Sequence, residues 1–142
     1  MKLCRIICLL TASSLLSTSL IASAIFASAR HADEHFSVKE YNEFHRVLRP
    51  LQHEALPGKD FQRIRSSAGE LVKHGEAIVK LGVPPGTAAK NVEEFRKELK
   101  RFDDALAKFR EHAKAGTDEQ LEGSFSSVHD SFEVLAGMLP RK

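Results

Sequence analysis

The run "FRKELKRFDDALAKF", residues 95–109, decides the fold. Its large apolar residues, Phe95, Leu99, Phe102, Leu106 and Phe109, recur at alternating spacings of four and three. That period places all five on one side of a helix, as an a/d stripe that ends at Gly116. Between them, Arg96, Lys97, Lys100 and Arg101 are interleaved with Glu98, Asp103 and Asp104, and Glu94 precedes the run. This mixture reads as a solvated helix face. A helix with one apolar stripe has to bury it against other elements, so the fold depends on what the flanking chain supplies.

On the C-terminal side, Thr117 with Gln120 forms a capping-box pattern, and Leu121, Phe125, Val128, Phe132, Leu135 and Leu139 make a second stripe before Pro140. Upstream, Phe61, Ile64, Ala68, Leu71, Ile78 and Leu81 form another, which stops at Gly82-Val83-Pro84-Pro85-Gly86. The first stripe is Tyr41, Phe44, Leu48 and Leu51, opened by a Ser37/Glu40 capping-box pattern and closed by Leu56-Pro57-Gly58. Pro50 lies within this helix and is expected to kink it near Arg46, whose carbonyl loses its usual partner. Four amphipathic helices with short connections predict an all-α, antiparallel up-down-up-down four-helix bundle over residues 37–142.

Residues 1–29 read as a signal peptide. Lys2 and Arg5 give a basic start, an apolar run follows, and Ala27-Ser28-Ala29 is an A-x-A cleavage pattern. Residues 30–36 are expected to be a flexible lead-in. The protein is therefore expected to be periplasmic or secreted, with no membrane association once the leader is cleaved. Both cysteines, Cys4 and Cys8, fall in the leader, so the exported chain has no thiol for a disulfide, a metal or a thioether bond. Without Lys2 and Arg5 the 21 basic residues fall to 19, equal to the acidic count. Such a balanced chain carries no footprint for nucleic acid.

The chemistry on offer is imidazole. All seven histidines, at 31, 35, 45, 53, 74, 112 and 129, follow the leader. With antiparallel helices, His45 and His129 fall at similar heights, and the same level on the second helix holds Glu70 and His74, one turn apart on one face. His45, His129, His74 and Glu70 are thus candidate ligands for a transition metal, copper or zinc, to which neutral imidazole and carboxylate are suited. His53, with Glu54, lies roughly 12 Å further along the first helix and would mark a separate site. His31 and His35 form an H-x-x-x-H pair in the lead-in, and His112 sits at a helix end, where a cation is favourable.

A leader, four helices and the sequence "VHDSF" in the last resemble the periplasmic cytochromes c-prime and their b-type bundle relatives. In the c-prime pattern the fourth helix carries Cys-x-x-Cys-His. Here Phe125 and Val128 stand at the cysteine positions and His129 matches the proximal haem ligand. On the family's own chemistry, covalent haem is excluded. The resemblance leaves a non-covalent haem-binding electron-transfer or sensing protein, in which His45 would take the place of the b-type helix 1 methionine as the partner of His129.

Three readings therefore stand: a non-enzymatic metal-binding bundle, a non-covalent haem protein, and a structural or partner-binding bundle with no cofactor. The last includes a homodimer through Val38 and Val47 on the outer face of helix 1. An enzyme is disfavoured, because no nucleophile has an assignable base and no glycine-rich phosphate loop occurs.

Overall fold

The computed structural model describes residues 35–140, and the expected signal peptide and most of the lead-in, including His31, lie outside them. Four helices follow in order: α1 (Lys39–Pro50), α2 (Phe61–Leu81), α3 (Val92–Ala115) and α4 (Asp118–Gly137). They pack sequentially against one another, as an all-α up-down bundle. Direction can be read from contacts at the seams. Glu43 meets His74, Arg46 meets Glu70 and Glu54 meets Arg63, so numbers rise on α1 as they fall on α2. Arg65 reaches the end of α3, and Glu76 pairs with Arg110. The ring of Phe109 meets that of Phe125 beside the two-residue link between α3 and α4. Ser37 donates to the Pro140 carbonyl at 2.7 Å, returning the end of α4 to the start of α1.

The stripes meet in one core. Tyr41, Phe44, Phe95, Phe102, Phe109, Phe125 and Phe132 are all fully buried, together with Leu48, Ile64, Leu71, Ile78, Leu121 and Leu135. The rings contact one another: Phe44 lies 5.3 Å from Phe102 and 4.8 Å from Phe132, centroid to centroid. Seven buried aromatics in this geometry give dense packing plus favourable edge and offset contacts. Between α2 and α3 the helices approach at Gly75, where an added Cβ would lie 2.6 Å from Leu106 Cδ1. Any larger residue there would push against the buried Leu106 side chain.

Local punctuation follows the expectations at one end and departs from them at the other. The capping box at α4 forms in both directions: Thr117 Oγ1 accepts from the Gln120 amide, and Gln120 Oε1 accepts from the Thr117 amide. At α1 the expected Ser37/Glu40 box is replaced. Val38 is the N-cap residue, and the Asn42 amide folds back to bond Phe36 and the Val38 carbonyl, freeing Ser37 for Pro140. The irregularity caused by Pro50 appears after it rather than at Arg46. Leu51–Ala55 winds as a wide π-helical turn in which the Leu56 amide donates to the Leu51 carbonyl and the Asp60 amide to that of Ala55. Asp60 then caps α2 by accepting from the Arg63 amide.

Three burial expectations need correction. Val47 is buried and Val38 packs against the core, so the α1 face suggested for dimerisation is interior. Leu81 is 37% exposed, whereas Val72 and Gly75, outside the expected α2 stripe, are buried. Glu98, read as part of a solvated face, is only 3% exposed.

Candidate functional site

The structure gives each of the expected ligands its own set of neighbours. His45 lies against the α1–α4 seam with its ring stacked on Phe132, centroids 6.0 Å apart and planes 12° from parallel. Phe36 packs edge-on to the same imidazole at 5.3 Å. Phe132 in turn contacts Tyr41 and Phe44, so the face of the His45 imidazole packs against a cluster of rings. His129, one turn before Phe132, has Nδ1 3.2 Å from Asp130 Oδ1 and Nε2 3.9 Å from Glu133 Oε1. Its nearest acidic partners belong to its own helix.

His74 and Glu70 do come together, at 3.9 Å across one turn of α2. The arrangement gains a member that spacing had not singled out: Glu43 of α1, whose Oε2 lies 3.7 Å from His74 Nδ1. One imidazole thus has a carboxylate facing each ring nitrogen. Glu70 is also held by Arg46 Nη2 at 3.3 Å, which gives the cluster a competing cation. His53 stands exposed in the π-helical turn beside Glu54, whose carboxylate is engaged by Arg63 at 3.0 Å. His112 anchors structure: its Nδ1–H donates to the Gln120 carbonyl at 2.9 Å, and the acceptor being a carbonyl assigns the proton to that nitrogen. His35 contacts the Phe36 carbonyl at 3.3 Å. Among the described residues, no group of three or more His, Asp, Glu or Cys side chains is arranged to hold a metal ion.

Three features escaped the sequence. Arg65 joins the end of α3 to the start of α4. Nη1 donates to the carbonyls of His112 and Ala113 at 2.8 and 3.2 Å, and Nη2 to the Gly116 carbonyl and Asp118 Oδ1, both at 2.9 Å. It satisfies the unpaired carbonyls at the end of α3, favours that negative dipole end and ties down the first turn of α4. Glu98 is buried with Arg101 Nη1 on its Oε2 at 3.0 Å. Tyr41 is fully buried, and its hydroxyl has no hydrogen-bond partner among the described residues. Burial pushes the Tyr41 phenol well above its ordinary range. Spacing marks Tyr41 for the core, but no spacing rule marks Arg65 or the unpaired Tyr41 hydroxyl, because each depends on neighbours distant in sequence.

No helix among the described residues is long and apolar enough to cross a membrane. The chain matches no family model, no curated protein and no solved structure.

Proposed function

We propose that this chain is an exported, non-enzymatic four-helix bundle that acts by binding at its helix surfaces, with no cofactor in its interior. The observation that supports this best is Phe132. It stacks on His45, contacts Tyr41 and Phe44, and occupies the core on α4 beside the position that a c-prime-like bundle gives to iron. Haem between His45 and His129 would have to displace this fully buried ring and its contacts, at a cost of about 3–5 kcal/mol by analogy with removing such a side chain. Export rests on the leader pattern of residues 1–29. The test is an absorption spectrum and metal analysis of the protein purified from its native exporting host. The expected result is a colourless protein with less than stoichiometric copper and zinc. A Soret band, or one bound metal ion per chain, refutes the reading.

A second reading keeps copper or zinc and moves it to the α1–α2 seam, favoured by the carboxylates that face both nitrogens of His74. The donor types suit either metal. At 3.7 and 3.9 Å, however, Glu43 and Glu70 face different nitrogens, so one of them would have to swing to share an ion with a single imidazole nitrogen. Zinc titration of the wild-type protein and of His74→Ala decides the matter. Saturable binding lost in the variant supports this site, and unchanged binding removes it.

A further inference from the structure

Between α2 and α3 runs an open groove of about 320 Å³. Its floor is small and apolar, made by Ala68, Gly69, Val72 and Ala113. Four cations and one carboxylate line its sides, and their commitments differ. Arg65 is spent on the α3 carbonyls and Asp118, and Arg110 on Glu76 at 2.9 Å. Lys73 and Lys114 are exposed and make no ion pair among the described residues. Lys73 lies eight residues after Arg65, roughly 12 Å along α2. Lys114 lies in the turn of α3 that Arg65 grips. The two uncommitted lysines are therefore set apart along the groove, one on each helix.

Gly69 supplies an independent observation. It sits in the interior of a 21-residue helix, where glycine costs about 1 kcal/mol relative to alanine. At Gly75 in the same helix the cost is explained by the approach of Leu106, but a Cβ on Gly69 would meet nothing within 4 Å. Packing within the fold does not require this glycine. What its missing side chain does is leave the groove floor open.

We propose, building on the surface-binding reading above, that the α2–α3 groove docks an acidic peptide segment of a partner protein. A small apolar side chain of the segment rests on Ala68, Val72 and Ala113 over Gly69, and flanking carboxylates reach Lys73 and Lys114. Two carboxylates spaced along one segment match two lysines set roughly two helical turns apart along the groove. Free carboxylates meeting uncommitted ammonium groups beside an apolar floor give both steering and burial.

The test uses the full exported chain and a fluorescein-labelled peptide with Asp-Glu pairs on either side of an Ala-Leu-Ala centre. Fluorescence anisotropy is expected to saturate at low salt, and to weaken by at least tenfold in Lys73→Glu, in Lys114→Glu and in Gly69→Leu. Gly69→Ala, as a folding control, keeps or raises the melting temperature. Binding of the charge-reversed peptide with equal affinity, unchanged affinity in the three variants, or lysine-dependent sedimentation with phosphatidylglycerol vesicles in place of peptide binding would each overturn the proposal. Its failure is separable from that of the surface-binding reading. A colourless, metal-free protein that ignores the peptide loses only the groove assignment, whereas a Soret band or stoichiometric metal defeats the broader reading whatever the peptide does.

Discussion

Replacing Tyr41 with phenylalanine should make this protein more stable. The ring is fully buried, stacked 28° from parallel on Phe132 at 5.8 Å and edge-on to Phe36 at 6.3 Å, and phenylalanine keeps all of that surface. What is lost is a hydroxyl with no hydrogen-bond partner among the described residues. Burying such a group costs about 1–3 kcal/mol, so Tyr41→Phe should gain about 1 kcal/mol, or roughly 3–6 °C in Tm for a domain of this size. A second consequence concerns pH. Burial raises the phenol's pKa, so the folded state holds its proton where the unfolded chain releases it. The stabilisation is therefore fully present below about pH 10, the unfolded value, and is lost above it at about 1.4 kcal/mol per pH unit. The chain has one tyrosine and no tryptophan, which makes the measurement clean. Urea unfolding of both proteins from neutral to alkaline pH, followed by helical circular dichroism, should show the wild type losing ground to the variant above about pH 10, lysine titration being common to both. Tyrosinate absorbance should appear only as the helices melt. A variant less stable than wild type at neutral pH, or a tyrosinate signal near pH 10 with the helices intact, would refute the claim that the hydroxyl is buried and unpaired.

Helix α2 offers two chemically identical substitutions of opposite sign. Gly69→Ala meets open space and should stabilise by about 0.5–1 kcal/mol. Gly75→Ala places a methyl group 2.6 and 2.7 Å from the two Cδ atoms of buried Leu106, and overpacking of about 1–3 kcal/mol should outweigh the helix gain. Equal effects in thermal melts would show that the α2–α3 approach is misplaced. Arg65→Lys should cost about 1–2 kcal/mol in urea unfolding, because a single ammonium cannot span the three carbonyls and Asp118 that the planar guanidinium reaches. Arg101→Ala leaves Glu98 buried without its ion pair and should destabilise by about 1–3 kcal/mol, with Glu98→Gln recovering part of that loss in the double variant. A neutral Arg101→Ala would argue against the buried carboxylate.

How far the molecule was legible before folding depended on the range of the interaction involved. Phe95, Phe102, Leu106 and Phe109 reached the core as their spacing required, and Thr117 with Gln120 formed the expected box, because both depend on residues within one or two helical turns. The first helix was less legible at its start. Ser37 is a good cap on local grounds, but the return of Pro140 claims its hydroxyl and Asn42 takes over the bonds at the helix entrance. Glu98 falls between the apolar positions of an exposed-looking run, but in the fold it lies at the α3–α4 seam beside Ser131 and Val134.

The histidines separate the two sources of information most clearly. Helical period and antiparallel order, both present in the sequence, determined four helices and their stripes and set an expected height for each histidine; His74 does meet Glu70 one turn away, with Glu43 across the seam. Height does not settle rotation about each helix axis. That angle is chosen by which large side chains interlock, and here Phe132 packs against Tyr41, Phe44 and His45 at once. Packing a ring into the centre of the bundle turned His45 onto an aromatic face and left His129 beside the carboxylates of its own helix. The period of the stripes is a property of one helix at a time, whereas the fit of Phe132 exists only once the helices are together.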